Sequence, residues 1–187
     1  VGTIAFDAAN TRMMVRVYSP AVGTVVRLKA EDAANSAHTV ETEATTTVAN
    51  TWETLIFDFA NPVTGTAALD PAFTYNKLSI FFGFGTTGAA AGGAKTYYFD
   101  DVAFIGGTGT GGGGGGGGGA GYSTLTFDSA ALTYTLTGFG GAEDSTVVVD
   151  PSGGTNKVVR VVKSGAAEGW AGTTVSTGAN QSVGIIP

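Results

Sequence analysis

The chain reads as an all-β protein, an antiparallel β-sandwich, and three observations predict it. Apolar residues fall in short alternating runs, with no long stretch at helical spacing. Thr, Val, Ala, Gly and Phe dominate, with 31 glycines and five prolines among 187 residues, the composition of strands and turns. Charged residues make up 13% of the chain, about half the usual share for a globular protein. Large apolar residues suffice for one core; they do not suffice for two once the glycine-rich centre is set aside.

Ile4-Ala-Phe6 reads as a strand tail and 7–11 as a turn. From Arg12 to Tyr18 the pattern alternates, with Met13, Val15 and Val17 on one face and Met14, Arg16 and Tyr18 on the other. After turn chemistry at 19–23, Val25 to Glu31 alternates again, placing Val26, Leu28 and Ala30 inward and Arg27, Lys29 and Glu31 outward. Val40 to Ala49 is a more exposed, Thr/Glu-rich strand, and Trp52 to Phe59 a strand anchored by Trp52, Leu55, Phe57 and Phe59. A long loop spans 61–73. Lys77 to Phe84 is the most apolar run, which predicts a central strand. Thr96 to Phe104 closes this half with Tyr97, Tyr98, Phe99, Asp100 and Asp101.

Nine consecutive glycines, Gly111 to Gly119, lie inside a low-complexity run from Gly106 to Gly121 and read as a connector. Beyond it, strands are expected at 124–127, 132–136, 146–149, 158–162 and 168–175, the last around Trp170, with a turn at 150–154. The chain then divides into 1–107, the C-terminal portion of one sandwich repeat; 108–121, the linker; and 122–187, the N-terminal portion of the next. The tail Val183-Gly-Ile-Ile-Pro187 echoes the head Val1-Gly-Thr-Ile-Ala5. Together the two portions amount to one domain with its halves in permuted order, as in tandem repeats sampled out of phase.

A net charge of −6 leaves no Lys/Arg stripe to neutralise phosphates or anionic lipid, so nucleic acid and acidic membranes are not expected partners. There is no cysteine, and no apolar run long enough to insert into a membrane. Catalysis has little support. His38 is the single histidine and sits in a polar stretch, no thiol exists, and the glycine run lacks the Gly-Lys-Ser/Thr of a phosphate loop. No enzymatic activity is expected.

Read in rotated order, the stretches Leu125-Thr-Phe-Asp128, Asn156 to Lys163, Trp170-Ala-Gly172, Val15 to Pro20, Val26 to Asp32, Trp52 to Phe59 and Tyr97-Tyr-Phe-Asp-Asp-Val102 resemble the jelly-roll, carbohydrate-binding-module-like domains of secreted marine-bacterial proteins. That resemblance implies an extracellular or cell-surface location. It also implies a structural calcium on Asp100, Asp101, Asp128 and Asp150, where the residues themselves are equally compatible with edge or turn aspartates. It further implies glycan contacts on a sheet face or at loop tips. Small neighbours around Trp170 suit a ring open to a sugar or packed in the core, whereas Trp52 reads as a packing residue. Tyr18, Arg16, Arg27, Lys29 and Glu41 are the polar candidates, equally readable as a solvated face with cross-strand ion pairs.

Two functions follow as expectations. The leading one is a non-catalytic structural or adhesive repeat of a surface protein or fibre, calcium-stabilised, whose partners are other copies of itself. The alternative is a carbohydrate-binding module that recognises a polysaccharide.

Overall fold

A computed structural model describes residues 3–105, 124–130 and 132–176. The glycine connector, Val1, Gly2 and the echoing tail 183–187 lie outside the described residues. Among the described residues there is no helix, and eleven strands form two antiparallel sheets: β1 (Arg12–Tyr18), β2 (Val25–Asp32), β3 (Asn35–Thr45), β4 (Trp52–Asp58), β5 (Lys77–Phe82), β6 (Lys95–Ile105), β7 (Thr124–Leu125), β8 (Thr135–Phe139), β9 (Asp144–Val149), β10 (Lys157–Lys163) and β11 (Gly172–Ser176). One sheet runs β4-β1-β6-β10-β9, with β7 paired to the far end of β6; the other runs β3-β2-β5-β11-β8.

The alternation seen in the sequence sets the faces. Met13, Val15 and Val17 of β1 meet Val26, Leu28 and Ala30 of β2 inside one core, joined by Leu55, Phe57, Ile80, Phe82, Tyr97, Phe99, Val159, Val161 and Val175. As its apolar run predicts, β5 is the centre of its sheet. The segment before β1 adds no strand, but Ile4 and Phe6 are buried and the Phe6 ring packs against Phe59, Tyr75 and Phe104 at 4.9–5.6 Å.

Strands from both sides of the glycine connector share each sheet. β10 pairs β6 from Val159↔Phe99 to Lys163↔Lys95, and β11 pairs β5 from Thr173↔Ile80 to Val175↔Leu78. β7 returns alongside β6 through Val102↔Leu125 and Ala103↔Thr124. Lys163 ties the layers together. Its buried ammonium leaves β10 and donates to the carbonyls of Phe82 (3.1 Å) and Gly83 (2.9 Å) at the end of β5, and burial holds its pKa below the ordinary lysine value.

Candidate binding face

The residues expected to touch a glycan divide between the two outer faces. Arg16 and Tyr18 lie on the outside of the six-stranded sheet; Arg27, Lys29, Glu41 and Trp170 lie on the other side of the molecule, on or beside the five-stranded sheet.

On the six-stranded sheet, register places Trp52, Tyr18, Tyr98 and Arg160 in one cross-strand row. Tyr18 meets Trp52 and Tyr98 edge-on, each at 5.7 Å. Trp52 does pack, but on this outer face and not in the core: the Arg16 guanidinium lies 4.4 Å over its ring and its indole N–H donates to Asp150 Oδ1 at 3.1 Å. Both the ring face and the polar edge of Trp52 are therefore engaged from within.

Beside this row sit three of the four expected calcium ligands. Strict alternation would send Asp100 and Asp101 to opposite faces. Instead β6 carries a bulge opposite β1, where the register shifts between Met14 and Arg16, and Asp101 adopts φ of 48°. Aspartate tolerates that left-handed backbone better than most residues. Both carboxylates thereby reach Arg16, Asp101 at 3.5 Å and Asp100 at 3.9 Å, while Asp150 approaches from the β9–β10 turn at 3.6 Å. Asp128 is bound elsewhere and accepts the Lys157 backbone N–H at 2.7 Å.

Arg16 stands between the three carboxylates as their positive charge. Among the described residues no three His, Cys, Asp or Glu side chains are grouped to hold a metal ion. Asp100 is 1% exposed; the Asn156 amide donates to its Oδ2 at 3.0 Å and its Oδ1 is buried without a partner. Burial above all, with the like charge of Asp101, pushes its pKa up to about 6 against the Asn156 hydrogen bond. Burial also works to raise Asp150, but hydrogen bonds from Ser152, Trp52 and Asn156 outweigh it and hold that carboxyl below its ordinary value.

The five-stranded sheet has a closely packed outer face, with Ser79 and Thr174 each 5% exposed and Phe81 8%, and its exposed aromatic stands beside it. Register aligns Glu43, Arg27, Phe81, Gly172 and Phe139 in one row. Phe81 meets Phe139 across the chain at 5.5 Å because position 172 has no side chain: a Cβ there would lie 2.7 Å from the Phe81 ring and 3.0 Å from Phe139. Phe84 packs edge-on to Phe81 at 5.6 Å, and the Arg27 guanidinium covers it at 3.5 Å. At the other end Trp170 lies nearly parallel to Phe139, with planes 16° apart and centroids 6.2 Å apart. It is 53% exposed.

Trp170 was expected inside a strand; it stands instead in the loop before β11. Three loops knit that position through backbone bonds, Gly85 N–H to the Gly169 carbonyl (2.9 Å), Gly88 N–H to Ala167 (2.8 Å) and Glu168 N–H to Gly140 (2.8 Å). Gly140, at φ of 66°, lies directly against the indole, where a Cβ would come within 2.8 Å. Arg27 and Phe84 thus mark one end of an aromatic strip and Trp170 the other. Phe81 and Phe84 escaped the sequence reading because a continuous apolar run does not reveal which members turn outward, and Phe139 because it lies beyond the alternating stretch 132–136; for Phe81 the alternation of Arg27 and Lys29 on the neighbouring strand was the available signal.

His38 stacks on Phe73 at 3.8 Å, bonds Asn35 through Nε2 and has Nδ1 3.6 Å from Asp32, a surface arrangement at the end of the sheet. No protein-family model, curated protein or solved structure matches the chain, so the two faces are interpreted from their own chemistry.

Proposed function

We propose that this chain is a non-catalytic, extracellular carbohydrate-binding β-sandwich that holds polysaccharide on the outer face of its five-stranded sheet. The observation that carries the reading is Trp170, more than half exposed and extended by the parallel Phe139 ring into a shallow aromatic strip. A pyranose presents an apolar C–H face that stacks on such a ring, and a loop fastened by backbone hydrogen bonds keeps the ring in place before the sugar arrives. Tyr18 and Arg16 are structural in this account, since Trp52 and the aspartates already occupy them.

The test is retention of the full chain on a panel of polysaccharides by pull-down and affinity electrophoresis. Trp170→Ala is expected to weaken retention about tenfold or more, the worth of one good aromatic contact, while Tyr18→Ala leaves it unchanged. Equal retention of the wild type and Trp170→Ala contradicts the reading.

A structural repeat of a surface fibre is the second reading, and one observation favours it. β6 and β7 pair directly at Ala103↔Thr124, so a short turn would close them, yet residues 106–123 intervene. Such surplus length suits a repeat array of jelly-roll domains whose halves are supplied in permuted order and exchanged between copies. Concentration-dependent polymers in light scattering would favour this reading; a monomer at all concentrations would remove its support.

A further inference from the structure

We infer that the polysaccharide held by the five-stranded face is uncharged. The inference rests on the binding reading above and names its ligand class.

Recognition of a uronate or sulfate needs a guanidinium or ammonium with donors to spare, because a carboxylate or sulfate leaving water must regain its hydrogen bonds from charged partners. This face has none free. Arg27 donates through Nε and Nη2 to Glu43 (2.8 and 2.6 Å) and through Nη1 to Glu41 (2.8 Å), while its planar group is spent over Phe84. Lys29 pairs with Glu31 at 2.6 Å, and Lys77 pairs with the other oxygen of the same carboxylate. Burial opposes the charge on Glu31, but the two lysines outweigh it and hold the carboxyl below its ordinary range, so the ion triad is complete at neutral pH. Three cations thus face three carboxylates across β2, β3 and β5.

The open end of the strip is no more welcoming to an anion. Glu168 is exposed two residues from Trp170, and Glu143 lies in the neighbouring turn, where it accepts the Gly141 N–H at 3.2 Å. Elsewhere all four arginines of the chain face carboxylates, Arg12 at Asp58, Arg16 at its three aspartates and Arg160 at Asp144, besides Arg27, while Lys95 and Lys157, which have no carboxylate partner among the described residues, belong to β6 and β10 of the other sheet. An anionic chain laid on the strip meets Glu168, which has no ion-pair partner among the described residues, and finds the donors of Arg27 already taken by Glu41 and Glu43. A neutral one needs only the ring faces of Trp170 and Phe139 and hydroxyl hydrogen bonds to the Arg27–glutamate rim and exposed Thr137.

The experiment compares the full chain on a neutral set (cellulose, β-1,3-glucan, mannan, agarose) with an anionic set (alginate, polygalacturonate, carrageenan), at low and high salt. The expected result is retention by at least one neutral polymer, insensitive to salt and lost in Trp170→Ala but partly kept in Trp170→Phe. Circular dichroism spectra of both variants are expected to match the wild type, which checks that they keep the sandwich. Salt-sensitive, Trp170-dependent retention by the anionic set alone overturns the inference while leaving the binding reading intact. Retention by neither set overturns both, as does a Trp170-dependent dimer in light scattering, which would mean that the strip receives a second copy of the chain.

Discussion

Asp100 concentrates the electrostatic strain of this protein in one side chain. It is buried, one oxygen has no partner, and its pKa stands near 6. Around it are Arg16 from β1, Asp101 from β6, Asp150 and Asn156 from the β9–β10 turn, and Tyr134 from the strand-poor segment after β7. Because the folded pKa lies above the unfolded value near 3.8, the folded chain binds the extra proton between those limits. The stabilising effect of protonation is complete below about 4 and is lost as pH rises through 6. Stability measured by urea unfolding should therefore increase on going from pH 7 to pH 5. Asp100→Asn, which keeps an acceptor for Asn156, should gain on the order of 2 kcal/mol at pH 7 and flatten the profile over that interval. A profile that instead falls steadily from pH 7 to 5 in the wild type contradicts the assignment. Below about pH 4 the paired carboxylates Glu31, Asp58 and Asp150, all held below their ordinary values, pull stability the other way.

At the scale of elements, Arg16 joins β1, the β6 bulge and the β9–β10 turn, and lies against β4 through Trp52. Arg16→Met keeps much of the side-chain bulk but leaves three carboxylates facing one another. The expected loss is about 2 kcal/mol, less than for a fully buried ion pair because the guanidinium is partly solvated. A variant as stable as the wild type would show that Trp52 and Asn156 hold the junction without it. This junction also marks where the sequence was legible. The period of two in β1 and β2 is interrupted by nothing, so faces and core residues follow from the pattern. At Asp101 a bulge breaks the period, and a bulge inserted opposite another strand leaves no trace in its own composition. Trp52 misled for a related reason: an aromatic that opens an otherwise core-like strand packs well enough on an outer face when an arginine and an aspartate cover it. The Arg27–Glu41 and Arg27–Glu43 pairs were readable as the ion-paired face that they form, whereas the strip beside them depends on Gly172 and on which strand lies next to β5, a tertiary fact.

On the scale of the whole molecule, strands from the two sides of the glycine connector pair in both sheets: β6 with β7 and β10, β5 with β11. The candidate strip straddles this seam, with Arg27, Phe81 and Phe84 from before the connector and Phe139 and Trp170 from after it. If the connector serves only to close the chain, replacing 106–121 by Asn-Gly should leave a monomer of unchanged binding, stabilised by about 1–2 kcal/mol through the shorter loop. Loss of the folded monomer would mean that the length is needed for exchange between copies.

The most direct test of the central claim uses the two tryptophans as internal reporters. Their indole N–H signals, one per face, can be followed by NMR while a soluble oligomer of the retained neutral polysaccharide is added. The account predicts that the Trp170 signal moves and saturates, together with backbone signals of Phe139, Gly172 and Arg27, while the Trp52 signal, fixed by Asp150 and Arg16, stays in place. Movement of Trp52 with Trp170 unchanged would put the sugar on the six-stranded sheet and contradict the account.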